Sequence, residues 1–220
     1  MTAISLYITH KKYSSWSLRI WLLMRHFDIP FTEIMVPMSD AATIPAMRSI
    51  SGTGKVPCLV VDQPSESLVV WESLAIIEYL AETFGERQIW PSDASKRAIA
   101  RVVAAEMHAG FVALRSACPM NLLRSPTPLP LDAAVWADVE RVLEIWHELY
   151  AQNDGPFLFG AFSAADAMFA PVYSRIKSYQ LSDDPIVDRF GSALESIPAW
   201  QQWINEAAQE TIVVAANETP

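Results

Sequence analysis

Ser14, Ser15 and Ser17 crowd the run Tyr13-Ser14-Ser15-Trp16-Ser17, at the head of an apolar stretch that continues through Leu23. A hydroxyl in that position caps a helix by accepting a hydrogen bond from a first-turn N–H, and one serine is enough. The surplus hydroxyls sit at a helix N-terminus, where unpaired N–H groups and the positive end of the helix dipole favour an anion or a thiolate. A free thiol titrates near about 8.5, so at neutral pH little of it is thiolate; a hydroxyl donor at a helix start raises that fraction. Toward a bound thiolate such a serine would act as a hydrogen-bond donor and need attack nothing itself. A second pair of interest is Glu72-Ser73, between the β-prone Ser67–Trp71 and a helical pattern. There Ser73 can cap the helix while its hydroxyl and the first-turn amides receive a carboxylate, and Glu72 can pair with an ammonium. One ligand end carrying both charges fits this pair.

Other chemistries find less support. The formal charge of −9 over 220 residues argues against a nucleic-acid surface, which needs clustered Lys and Arg. Cys58 and Cys118 lie far apart and form no CxxC or zinc spacing, and His10, His26, His108 and His147 follow no metal motif, so no metal is expected. Both cysteines read as buried structural residues. No window reaches the length of a membrane span and no signal-peptide order opens the chain, so the expectation is a cytoplasmic protein with no membrane partner.

The elements that must position these residues change style along the chain. Ile4 to Ile8 reads as a strand, the serine-headed run as a helix ending near Asp28-Ile29-Pro30, with Trp16, Ile20, Leu23 and Phe27 on its apolar face, and Phe31 to Val36 as a second strand. That is a βαβ unit. After an unassigned middle, Pro57 opens a strand through Asp62, a position that tolerates proline; a turn and the strand Ser67–Trp71 complete a hairpin. A helix follows, with Leu74, Ile77, Leu80 and Phe84 at helical intervals and Gly85 as its C-terminal cap. Residues 1–84 thus form an α/β domain, 85–93 a proline-containing linker, and 94–220 an all-helical domain. In the latter, Val103, Met107, Phe111 and Leu114 mark one helix and Val135, Val139, Val142, Trp146 and Leu149 another, separated by a proline-rich segment. Ser163 with Asp166 reads as a capping box, and Trp200, Trp203, Ile204 and Ala207 face inward from the last helix.

In order and spacing, four segments resemble the cytosolic glutathione S-transferase family along essentially the whole chain: "YSSWSLR", "KVPCLV", "VVWESLAIIEYL" and "FGAFSAADAMFAPV". The first is similar to the serine-type active-site segment of the zeta-like classes, with Trp16 in the slot of their cysteine. The resemblance implies a thioredoxin-like N-terminal domain followed by an all-α C-terminal domain. It implies glutathione as co-substrate and Ser14 as thiolate donor with Ser15 assisting; Ser17, one turn further into the helix, is expected to matter least. It implies a cis bond before Pro57, with Val56 hydrogen-bonding the cysteinyl backbone of glutathione, Lys55 attracting its glycine carboxylate, and Glu72 and Ser73 receiving its γ-glutamyl end. A second-substrate pocket is expected between the domains at Trp16, His108, Phe111 and Arg115, with Glu106 and Asn121 nearby. The implied function is a glutathione transferase acting on a small hydrophobic electrophile, as a homodimer. A glutathione-dependent isomerase, a peroxidase or thiol reductase, and a non-catalytic binding protein on the same fold are the alternatives.

Overall fold

The computed structural model describes residues 3–37 and 43–218. Its first half runs β1 (Ile4–Ile8), α1 (Ser15–His26), β2 (Thr32–Met35), α2 (Thr43–Ser51), β3 (Cys58–Val61), β4 (Leu68–Trp71) and α3 (Ser73–Thr83). The strands form one sheet in the order β2-β1-β3-β4. β1 pairs parallel with β2, as a crossover through α1 requires, and β3 runs antiparallel to both β1 and β4. Because side chains alternate across a strand, Leu6, Ile8, Leu59 and Val61 enter the main core while Cys58 joins Val36 and Met47 in a small core on the other face. Met47 is what α2 contributes there, and its burial accounts for a helix in the stretch that sequence pattern left unassigned. This is the thioredoxin-like domain.

The second half is all helical: α4 (Ala94–Ala109), α5 (Val112–Ala117), α6 (Ala133–Gln152), α7 (Ala164–Ser178), α8 (Pro185–Glu195) and α9 (Pro198–Ala207). α7 is buried on every side from Ala164 to Ile176, and its alanines let it approach both α1 and α4 closely. α1 in turn packs against α3, α7 and α9. Its residues from Leu18 to Met24 are therefore all closed from solvent, where the sequence pattern predicted a one-sided stripe. Trp16 and Phe27, assigned to that stripe, are only partly buried at its ends.

Two further expectations are corrected. The helix carrying Val103 and Met107 does not continue to Phe111 and Leu114. α4 stops at Ala109, the Gly110 N–H bonds the Glu106 carbonyl, and Phe111 turns into the left-handed region at φ 53° before α5 begins. Gly110 fits this turn because a Cβ there would lie 2.7 Å from the Glu106 carbonyl oxygen. Gly85 does not cap α3; Phe84 does, and Gly85 opens a short 3-10 turn whose left-handed exit is Gln88, φ 53°. The Ser163–Asp166 capping box is present at the start of α7.

Candidate active site

The start of α1 is set by the turn before it. The His10 carbonyl accepts the N–H groups of Tyr13 (3.1 Å) and Ser14 (2.9 Å), which puts Ser14 at the N-cap with extended backbone. The Ser14 Oγ accepts the Ser17 N–H at 3.3 Å and lies 2.7 Å from the Ser17 Oγ, to which it donates. Ser17 Oγ also accepts the Thr9 N–H at 3.2 Å. Ser17 is thus fully buried and the direct partner of Ser14, not the bystander that its place inside the helix suggested. Ser15 is buried too: its carbonyl accepts Arg19 Nη1 at 2.8 Å and its Oγ accepts Arg175 Nη2 at 3.4 Å. Ser14 and Ser15 line a pocket of about 310 Å³ together with Thr9, His10, Tyr13, Trp16, Val214 and Asn217.

A second cleft, of about 270 Å³, adjoins it across Trp16. One wall is built by Lys55, Val56 and Pro57 just before β3 and by Glu72 and Ser73 just after β4, the other by Trp16, His108 and Arg115. The Val56–Pro57 bond is cis. Glu72 stands at the N-cap of α3 in the left-handed region, φ 69°, an uncommon backbone for a non-glycine residue and one that belongs to sites held in place by their surroundings. Glu72 rather than Ser73 is therefore the cap residue. It makes no side-chain capping bond, and its carboxylate instead reaches His108 Nε2 at 3.3 Å. Ser73 is the first residue of α3, almost wholly buried, and its Oγ has no hydrogen-bond partner in the protein. A buried hydroxyl beside a cleft and without a protein partner leaves a hydrogen bond that a ligand atom could complete.

Phe111, expected in the second-substrate pocket, is absent from both cavities. It is buried in the core against Phe169, ring centroids 6.4 Å apart, because the break after α4 turns it inward. Glu106 pairs outward with Arg141.

Sequence reasoning missed the arginines behind the serines. Arg19, fully buried, donates to the carbonyls of Met168 (3.0 Å) and Ser15; Arg175 donates to those of Cys118 (2.9 Å) and Pro171 (3.0 Å). Burial lowers the pKa of both, with repulsion from Arg175 and Arg115 adding to it at Arg19 and from Arg115 at Arg175, which falls to about 10. Arg115 is lowered by burial as well, and its Nε has no partner. The Trp16 ring takes Arg19 at 4.2 Å and Arg115 at 5.4 Å, and packs on His108 at 5.2 Å. Cation–π contact is one way to hold guanidinium groups that carbonyls alone do not neutralise. The concentrated positive charge suits an anion. An arginine inside each of two apolar helical runs was the available signal.

Among the described residues no group of three or more His, Cys, Asp or Glu is placed to hold a metal ion, and no helix is long and apolar enough to cross a membrane.

A family model for the glutathione S-transferase N-terminal domain matches residues 13–83. A probable maleylacetoacetate isomerase from Caenorhabditis elegans is 30% identical over 198 residues, covering 89% of this chain and 90% of the relative. Among solved structures, a glutathione transferase homolog from Burkholderia GL BGR1 with bound glutathione superposes with a TM-score of 0.72 at 22% identity, covering 96% of this chain and 100% of that one. A maleylacetoacetate isomerase from Anaeromyxobacter dehalogenans 2CP-1, with dicarboxyethyl glutathione and citrate in its active site, gives 0.70 at 19% identity over 100% and 98%. The last two comparisons extend the agreement to the fold of both halves. With a relative of this identity aligned along nearly the entire chain, the protein belongs to the cytosolic glutathione S-transferase family.

Proposed function

We propose that this chain is a glutathione-dependent enzyme in which Ser14 donates a hydrogen bond to the glutathione sulfur and so holds it as a thiolate for attack on an electrophile. The observation that carries this reading is the unpartnered, buried Ser73 hydroxyl beside Glu72 and the cis Val56–Pro57 bond, in a cleft that meets the serine-headed helix at Trp16. In this reading Ser73 and the first amides of α3 take the γ-glutamyl carboxylate, Glu72 the ammonium, Val56 the cysteinyl backbone and Lys55 the glycine carboxylate. The sulfur then reaches the start of α1, where Ser14, with Ser15 beside it, faces the pocket for the second substrate. That pocket is mainly apolar, which suits an electrophile with hydrophobic bulk. A second copy completes the assembly: Ile99 and Val102, one turn apart on α4, are exposed and apolar, and we assign them to a homodimer interface.

A second reading has its own support. Arg19, Arg115 and Arg175 gather positive charge behind Ser15, and the similar isomerase holds citrate beside its glutathione adduct. A glutathione-dependent isomerase of an acidic, unsaturated substrate uses the same thiolate, which adds to the double bond and leaves after rotation. The thiol-reductase reading lacks a nucleophile among the protein's own cysteines: Cys58 and Cys118 are buried, and burial pushes both thiols up to about 11.

Ser14→Ala tests the mechanism. A hydrogen bond to a charged partner is worth about 1.5 to 3 kcal/mol, so the bound thiol should titrate roughly one to two units higher. Turnover near neutral pH should fall about tenfold or more and recover in part as pH rises. Thiolate absorbance of the glutathione complex reads the midpoint directly. An unchanged midpoint in Ser14→Ala with a raised one in Ser15→Ala transfers the role to Ser15; no change in either removes it from both.

A further inference from the structure

The chain's C-terminal segment returns to the site. The Glu210 carboxylate accepts the backbone N–H groups of Lys11 (2.7 Å) and Lys12 (3.0 Å), Val214 and Asn217 form a wall of the serine pocket, and Glu218 closes the segment down. Glu218 is held by three donors: Oε1 by Lys12 Nζ at 2.9 Å and by the Tyr13 hydroxyl, Oε2 by Asn121 Nδ2 at 3.1 Å.

The two sides of this contact are built differently. Tyr13 and Asn121 are 7% and 4% exposed, and the Tyr13 hydroxyl also lies 3.5 Å from the Ile212 carbonyl. Asn121 Oδ1 accepts the Leu123 N–H at 3.1 Å, which turns its amide N–H toward Glu218, and the Leu122 N–H donates to the Lys12 carbonyl at 3.1 Å, tying the two loops together. Glu218 has more than a third of its side chain in solvent and follows an exposed Val213. The donors are therefore largely closed from solvent, Lys12 included, while the acceptor is open to exchange with another carboxylate. Tyr13 and Lys12 also hold the Glu218 carboxyl below the usual carboxylate range, the response of a group in a site that prefers the anion.

We propose that Lys12, Tyr13 and Asn121 form a carboxylate-binding subsite at the edge of the serine pocket, which takes the distal acid group of the second substrate and which Glu218 fills when no substrate is bound. Tyr13 lines the pocket next to Ser14, so an acid seated there has its reactive carbon within the same cavity as the sulfur. Substrate acid and Glu218 compete for the same donors, and the segment carrying Val214 and Asn217 moves aside as Glu218 is displaced. The inference rests on the reading of the serine pocket as the second-substrate site.

Two probes that share the glutathione anchor separate the possibilities: S-hexylglutathione, and S-(ω-carboxypentyl)glutathione, whose arm ends in an acid. Calorimetry on the whole protein should find similar affinities for the two. In Glu218→Gln, which keeps the shape and removes the charge, the acid probe should gain about tenfold or more from its charge-assisted bonds while the hexyl probe stays unchanged. Adding Lys12→Met, or Tyr13→Phe, to Glu218→Gln should remove most of that gain. If the hexyl probe binds and the acid probe gains nothing in Glu218→Gln, or both gain equally, the subsite is wrong while the glutathione reading stands. If neither probe binds the unmodified protein, the glutathione reading falls and the subsite with it.

Discussion

The Ser17 hydroxyl, closed from solvent, accepts from both Ser14 and Thr9, so the proton that Ser14 offers to sulfur in the proposed mechanism is directed inward in the free protein. Binding of a thiolate needs only rotation of that hydroxyl, since an anion is a stronger acceptor than a neutral oxygen. Across the cleft, Ser73 presents the opposite situation, a buried hydroxyl with no partner to give up. Ser73→Ala should therefore leave thermal stability nearly unchanged, whereas loss of a capping serine costs about 1 kcal/mol. Ser73→Ala and Glu72→Ala should raise KM for glutathione with little change in kcat, because their partners on the ligand are remote from the sulfur. Steady-state kinetics with glutathione varied, alongside a melting curve, checks both halves; a normal KM in both variants removes the assignment. These residues were legible because each sits at a local junction: serine before an apolar run, proline at a strand start, an acid–hydroxyl pair where strand becomes helix. Arg19 and Arg175 were not, because their meaning depends on each other across 156 residues of chain, from α1 to α7.

At the scale of elements, α7 depends on how its first turn is closed. Asp166 accepts the N–H groups of Leu158 (2.9 Å) and Ser163 (2.8 Å) and the Ser163 hydroxyl (2.9 Å), all in the buried interior. Asp166→Ala leaves these donors unpaired and should cost about 3 kcal/mol or more, roughly 6 to 12 °C in Tm for a chain of this size. Burial, partly offset by those bonds, raises the Asp166 acid from 3.8 to about 6. Between those values the folded chain holds a proton that the unfolded chain has released, so this group makes the fold lose stability as pH rises from 3.8 to about 6. In Asp166→Asn that contribution is gone, and the difference in Tm between variant and parent, followed from pH 4 to 7, should shrink as pH rises; a constant difference overturns the assignment. The capping box was legible because it is local. α8 carries an equally local signal, with Asp184 accepting the Ile186 N–H behind Pro185. The break at Gly110–Phe111 was obscured by a stripe that runs through α4 into α5 without a change of spacing.

For the whole molecule, the assembly proposed through α4 predicts a particle of about twice 24.5 kDa in light scattering at micromolar concentration. Val102→Glu, on an exposed position that touches neither cavity, should shift it toward the monomer without loss of fold; a monomer in the unmodified protein contradicts the interface. The two halves of the chain are themselves joined more deeply than their separate folds suggest. Lys11 lies against the rings of both Trp21 and Trp203, paired with Glu33 and Glu206, and Arg19 reaches a carbonyl of α7 that stands 149 residues later in the chain. This bears on synthesis. On the ribosome, β1 to α3 emerge first and the sheet can form, but α1 then waits with its outer face uncovered until α7 and α9 have been translated. Throughout that interval Arg19 and Trp21, which meet Met168 of α7 and Trp203 of α9 in the finished fold, present to solvent or to a chaperone a surface that the finished protein never exposes. The serine pocket waits longer still, because the wall made of Val214 and Asn217 follows α9 in the chain.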